Sequence, residues 1–266
     1  MEMADIRIDK DGPVWLLTIE RPTKMNSLDF DAHYELVDAW KSFDAESEAR
    51  VGVITGEGDQ AFCAGADLKT YTMNFATRPP HEFREEFVEG YGLGGITRGL
   101  DIDKPLIAAV NGYAVSGGLE IALACDLRFC SPNAEFGLQD VKWGFHACDG
   151  ALIRLPGIIG TGNTMEMVLS GDLIDADHAY RIGLVNRVWD QEALLPKTLD
   201  YAAKLASRAP LAIRYAKQTL RRTASMPINE ALKAEVRSFY DLGRSDDLAE
   251  GTTAFKERRE AKFEGN

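Results

Sequence analysis

The chain has 266 residues, 45% of them hydrophobic, and a formal net charge of −12. That length admits one large domain or one domain with an appendage, and the acidity argues against general binding to nucleic acid or anionic membranes while leaving room for a local basic pocket. Four cysteines without C-x-x-C spacing (Cys63, Cys125, Cys130, Cys148), no signal-peptide pattern and no run near the roughly 20 apolar residues of a membrane helix point to a cytoplasmic protein without a zinc site or disulfide frame.

The chain opens on a predicted hairpin, with residues 6–8 and 14–19 flanking the turn signal Lys10-Asp11-Gly12-Pro13. After Arg21-Pro22, Asn26 or Ser27 is placed to cap a helix whose apolar positions Phe30, Tyr34, Val37 and Trp40 recur every three or four residues. A buried strand over 51–55 precedes the run Phe62-Cys63-Ala64-Gly65-Ala66-Asp67. The polar stretch 70–100, with Pro79-Pro80, reads as a loop followed by a helix from about residue 81. A second apolar strand over 106–110 turns at Asn111-Gly112 towards Val115-Ser116-Gly117-Gly118-Leu119-Glu120. From about residue 160 the pattern is mostly helical. Gly160-Thr161-Gly162-Asn163 precedes one helix, Asp175 caps another, and 184–188 reads as a strand. Residues 191–258 read as consecutive helices punctuated by Pro210, Pro227 and Gly243. The expectation is an α/β core over residues 1–190, in which strand, turn and helix recur without a sequence repeat, and a helical C-terminal subdomain over 191–266.

The two small-residue runs carry the chemistry. Each follows an apolar strand and leads into a helix, so small side chains let a ligand approach the backbone and leave the first helical N–H groups free. Two such turns meeting in space supply two N–H donors to one oxygen, the requirement of an oxyanion hole. Glu120, three residues after Gly117, falls about one helical turn further on, beside whatever the hole binds. A second carboxylate nearby would raise its proton affinity towards neutral pH and fit it for acid–base work. Together these features point to chemistry on an acyl group.

At these residues the chain resembles the enoyl-CoA hydratase/isomerase (crotonase) superfamily. The similarity runs from Arg21-Pro22 and Asn26-Ser27-Leu28 to Glu250-Gly251, Ala254-Phe255 and Phe263. Its most specific stretches are Ala64-Gly65-Ala66-Asp67-Leu68-Lys69 and Ala109-Val110-Asn111-Gly112-Tyr113-Ala114-Val115-Ser116-Gly117-Gly118-Leu119-Glu120, with Ala134-Glu135-Phe136-Gly137 and Gly183-Leu184-Val185-Asn186-Arg187-Val188 in support. The resemblance implies a crotonase-like spiral of ββα units, a helical C-terminal region for trimerisation, a homotrimer or homohexamer, and an acyl-CoA thioester as substrate, with no metal or further cofactor. By position it puts the oxyanion-hole amides on Ala66 and Gly117 and the hydratase carboxylates on Glu120 and Asp140. Asp140 departs from the usual glutamate by one methylene. A second departure is Ala147-Cys148-Asp149-Gly150-Ala151 in place of a Pro-Gly-Ala-Gly-Gly-like turn. Some members that move double bonds or cleave C–C bonds carry a carboxylate at or beside Asp149, so that residue keeps open an isomerase or a C–C bond hydrolase acting on a cyclic β-oxo substrate. The resemblance also makes Lys69, Arg258 and Lys262 candidates for the CoA phosphates, with Lys24, Ala64, Asp67, Leu68 and Gly118 in the substrate-binding set. Trp143, with Tyr71 and Phe145, is a candidate for the acyl pocket.

Plainer roles stand beside these. Glycines make tight turns, a first-turn glutamate complements a helix dipole, Asp-Gly is a common turn, and exposed cations solvate helix faces. His146 is expected as a packing or pocket-wall residue, and Cys63 and Cys148 as small fillers. Ala114-Val115-Ser116-Gly117-Gly118 also approximates a nucleophile elbow, with Asp149 or Asp175 and then His178 completing a hydrolase triad. A non-catalytic binding or assembly protein of the same fold is the remaining alternative. The expected activity is reversible hydration of an α,β-unsaturated acyl-CoA.

Overall fold

The structure is a computed structural model that describes residues 5–266, apart from the side chains of residues 72, 75 and 76. The hairpin forms as strands β1 (Ile6–Asp11) and β2 (Val14–Ile19), paired antiparallel with Asp11 opposite Val14. Helix α1 (Phe30–Ala45) follows, then β3 (Val51–Gly56) and β4 (Ala61–Cys63). A wide helical turn, Leu68–Thr72, runs into α2 (Met73–Thr77), and α3 (Pro80–Phe83) runs into a similar turn, Arg84–Val88. Next come β5 (Leu106–Val110), β6 (Tyr113–Val115), α4 (Gly117–Ala124), β7 (Leu127–Cys130), β8 (Glu135–Gly137) and a 3-10 turn, Gln139–Trp143. The chain continues as α5 (Ala151–Ser170), β9 (Ile174–Asp175), α6 (Ala176–Arg181), β10 (Arg187–Val188), α7 (Gln191–Ala206), α8 (Pro210–Thr223), α9 (Ile228–Leu242) and α10 (Asp246–Glu257).

Successive units divide their two strands between two sheets. In the pairs β3/β4, β5/β6 and β7/β8 the first strand joins a six-stranded sheet ordered β1-β2-β3-β5-β7-β10, parallel beyond the hairpin, and the second joins a smaller sheet ordered β4-β6-β8-β9; in β9/β10 the order is reversed. This is the expected spiral of ββα units. The central strands β2, β3 and β5 of the large sheet are buried on both faces, which explains why they read as unbroken apolar runs, whereas the edge strand β1 is largely exposed. Leu17, Ile19, Ile54 and Val110 face α1 through Leu36, Trp40 and Phe43, while Leu16, Val51, Val53 and Ile107 meet Leu194, Ala202 and Ala206 of α7. Helix α7, beyond residue 190, thus packs its buried side chains on one face of the large sheet.

Turn asparagines tie neighbouring units together. Asn111 Nδ2 donates to the carbonyls of Gly56 (2.8 Å) and Gly58 (2.8 Å), and its Oδ1 accepts from Gly56 N (3.1 Å). Asn26 does the same one unit earlier: its Oδ1 accepts from Arg21 N (2.9 Å) and its Nδ2 donates to the carbonyls of Glu57 (3.0 Å) and Ala61 (2.7 Å). Asn26 is thus committed to the loop and does not cap α1. The cap is Asp29, whose carboxylate accepts from Ala32 N at 3.1 Å and pairs with the buried Arg21. Tyr34 points to solvent and His33 takes the inward position.

Three further expectations need correction. Residues 68–77 are helical, because Asp67 accepts from Lys69 N (2.8 Å) and Thr70 N (3.2 Å) and starts a helix in the stretch read as loop. A helix already runs from Ala151, ahead of Gly160, whose φ of 77° and ψ of 158° break α5 into two segments. The strand expected over 184–188 pairs only at Arg187 and Val188. The four C-terminal helices fall where Pro210, Pro227 and Gly243 divide them. Among the described residues no helix is long and apolar enough to cross a membrane.

Candidate active site

The two small-residue runs meet. An added Cβ on Gly65 would stand 2.8 Å from Gly117 N, and one on Gly117 would stand 3.4 Å from Ala66 N. Gly65 also has a φ of +90°, so glycine is required there twice over, by conformation and by space. The first loop is held as a strand-like partner of the 25–28 segment: Ala64 N donates to Met25 O (3.0 Å), Leu28 N to Gly65 O (2.8 Å) and Asp67 N to Leu28 O (2.8 Å). These bonds use the amides on either side of Ala66 and leave its own N–H without a protein partner among the described residues. Gly117 is the first residue of α4, where N–H groups have no intrahelical acceptor. Ser116 before it holds φ 49° and ψ −121°, a costly conformation for a residue with a side chain, and one that aims the turn inward. Two unpaired N–H donors thus lie side by side.

Both amides line a cavity of about 870 Å³ that also holds Glu120, Asp140 and Asp149. Glu120 is 2% exposed, and its Oε1 accepts from Asp149 N (2.7 Å) and Ala151 N (3.0 Å), which leaves Oε2 to the cavity. Burial, with the Asp149 charge next in weight and that of Asp140 a smaller contribution, pushes the Glu120 carboxyl up to about 8 against the pull of the two amides. Asp140 is 5% exposed, sits in the 3-10 turn, and its Oδ2 is buried without a hydrogen-bond partner among the described residues. Burial raises its carboxyl as well, against a hydrogen bond with the Ser116 side chain. Two buried carboxyls of raised proton affinity therefore share one cavity with two free amide donors. That set can bind a carbonyl oxygen, stabilise negative charge as it develops there, and exchange protons with a water or with carbon beside it.

The walls are apolar. Tyr71 is buried against Phe30 (ring centroids 4.5 Å apart) and lines the cavity with Leu68, Leu93 and Ala64, while Trp143 and Phe145 reach it as exposed aromatics. Among the candidate binding residues, Ala64, Leu68 and Trp143 line this cavity. Asp67 and Gly118 do not: Asp67 starts the 68–72 turn, and a Cβ on Gly118 would be driven into the Cys63 carbonyl, so both serve the backbone. Lys24, 3.7 Å from Asp29, and Lys69, Arg258 and Lys262 lie outside the lining. His146 is a wall residue, with Nδ1 2.9 Å from Ala147 O. Cys63 is the buried filler expected, but Cys148 is exposed and faces the cavity. The hydrolase triad does not assemble, since Asp175 caps α6 by accepting from His178 N at 2.7 Å and neither residue lines the cavity that Ser116 faces.

A model of the enoyl-CoA hydratase/isomerase family matches residues 9–266. The chain belongs to this family. The carnitinyl-CoA dehydratase of Citrobacter koseri is 36% identical over 264 residues, 98% of either chain. Enoyl-CoA hydratases of known structure from Mycobacterium tuberculosis (TM-score 0.90, 33% identity) and Bacillus anthracis (0.88, 30%) cover 99% and 98% of this chain and all of their own. The fold is accordingly the crotonase fold, and the chain is an enzyme of hydratase/dehydratase type. In this family member sequence reasoning missed Leu93, whose Cδ2 abuts Gly117, and Arg98, which pairs with Asp149 at 2.6 Å. Both lie in the stretch 90–99, whose five glycines at 90, 92, 94, 95 and 99 gave no periodic signal; three of them have positive φ.

Proposed function

We propose that this enzyme adds water across the α,β double bond of an enoyl-CoA thioester, and removes it in reverse. The observation that carries the reading is the pair of unpaired N–H groups, Ala66 and Gly117, in one cavity with two buried carboxyls, Glu120 and Asp140. The thioester oxygen accepts both N–H groups. As the water oxygen bonds to C3, the electron pair of the double bond moves towards the thioester oxygen to form an enolate, and C2 then takes a proton. Glu120, pushed up to about 8, carries a proton at neutral pH and supplies C2 from Oε2. Asp140 accepts the proton of the attacking water. Asp149 is less suited to a lead role, because its Oδ1 already faces three donors, and this weighs against the isomerase and C–C hydrolase readings.

The reading extends to a homotrimer, or a hexamer of two trimers, in the cytoplasm, supported by the exposed Leu232, Val236 and Phe239 along α9. Lys24, Lys69, Arg258 and Lys262 then bind the CoA phosphates outside the acyl cavity. The test is a panel of linear, branched and cyclic enoyl-CoA thioesters together with carnitinyl-CoA, with products identified by mass. Gain or loss of one water supports the reading. Double-bond migration without a mass change, or ring opening, would replace it.

A further inference from the structure

Asp149 is the cavity carboxylate that hydration leaves without a part, and its two ends hold different things. Its backbone N–H, with that of Ala151, grips Glu120 Oε1. Its side-chain Oδ1 accepts from Leu93 N (3.0 Å), Thr97 Oγ1 (3.2 Å) and Arg98 Nη1 (2.6 Å). Arg98 also donates to the carbonyls of Cys148 (3.2 Å) and Phe87. From the opposite side Arg154 donates to Asp149 O (3.2 Å) and Thr97 O (2.6 Å), passing through the space that a Cβ on Gly150 would fill. Segment 87–98 and turn 148–151 are thereby fastened into one unit. That unit touches the oxyanion hole at one end, where Leu93 lies against Gly117, and Glu120 at the other.

We propose that Asp149 and Arg98 are a positioning pair for Glu120: they lock the turn whose amides hold Oε1 to the segment that carries Leu93, and they balance charge beside the carboxyl. A carboxylate oxygen that faces three donors, one of them a guanidinium, is held in one place. The groups that face Glu120 and its surroundings are Asp149 and Cys148 on the turn, Asp140 and His146 from the other wall, Arg154 from α5 and Arg98 from segment 87–98. His33 on α1 adds no charge near neutral pH, since burial lowers it to about 4 and its Nδ1 accepts from Gly94 N (3.1 Å). Asp149 favours the protonated form of Glu120, and Arg98 offsets Asp149. Removing one member of the pair exposes the other, so the two single substitutions act with opposite sign.

The inference rests on the hydration reading for the role of Glu120, but its test needs no turnover. Carboxyl ¹³C NMR of glutamate-labelled enzyme, assigned with Glu120→Gln, reads the Glu120 midpoint directly. In Asp149→Asn the midpoint is expected to fall by about one pH unit; in Arg98→Gln it rises by a similar amount. The double variant returns towards wild type. Midpoints that move in the same direction in both single variants, or in neither, overturn the proposal. So does a loss of turnover in Asp149→Asn of at least about a hundredfold at every pH with the midpoint unmoved, which would make Asp149 a proton-transfer group. If Asp149→Asn fails to fold, Arg98→Gln decides alone: a raised midpoint supports the pair, and an unmoved or lowered one removes it. Failure of the hydration reading shows separately, in the thioester panel.

Discussion

Glu120→Gln separates the two demands the fold places on this side chain. The amide keeps Oε1 as acceptor for Asp149 N and Ala151 N and loses only the exchangeable carboxyl proton. Turnover is expected to fall by at least about a hundredfold, the scale of general acid–base catalysis. Stability should move the other way. The carboxyl is raised from 4.5 to about 8 in the folded protein, so folding takes up a proton between those values. The contribution of Glu120 is complete below pH 4.5, declines as pH rises, and is lost once pH passes about 8. Taking the whole displacement at about 1.4 kcal/mol per pH unit makes ionising the folded protein cost ~5 kcal/mol, an upper figure because the neighbouring carboxyls titrate too. Glutamine carries no such cost. Denaturant unfolding of both proteins at one protomer concentration, from pH 5 to pH 9, should show the variant gaining on wild type by a few kcal/mol across that range. Parallel curves would refute the buried, proton-holding carboxyl, and turnover near wild type would refute its catalytic role.

Asp140→Asn is expected to lower kcat by at least about a hundredfold without loss of thermal stability, since it replaces a buried oxygen that has no partner; steady-state kinetics and calorimetry on the same preparation check both. Gly117→Ala pushes Leu93 off residue 117 and should cost about a hundredfold in kcat, with most of it recovered when Leu93→Ala is added; an equally impaired double variant would show that Leu93 is not the cause. Gly118→Ala drives a methyl into the rigid Cys63 carbonyl and should cost about 3 kcal/mol or more, read as a fall in melting temperature, whereas Gly157→Ala in α5 meets open space and should be neutral or better.

Legibility followed the reach of each physical signal. Strands buried on both faces announce themselves by continuous apolar sequence, so β3 and β5 were readable, and with them the turns that carry Ala66 and Gly117. Glu120 was readable too, because its distance from Gly117 is a helical repeat within a single element. The surroundings of Asn26 and Asp149 were not, since both are set by partners far along the chain. Asn26 looks like a helix cap and becomes a brace between units, because its Oδ1 accepts from Arg21 N and its Nδ2 donates to the carbonyls of Glu57 and Ala61. Asp149 reads in the sequence only as a carboxylate near the site; the donors from residues 93–98 that surround its Oδ1 lie in a segment whose glycines hide it from periodicity. A carboxylate's position along the sequence shows that it can reach a site; only the donors around it decide whether it moves protons there or stands still. In this enzyme one turn sets both surroundings: the amides of Asp149 and Ala151 bind one oxygen of Glu120 and leave the other free, while the side chain of Asp149 is held by donors from the 93–98 segment.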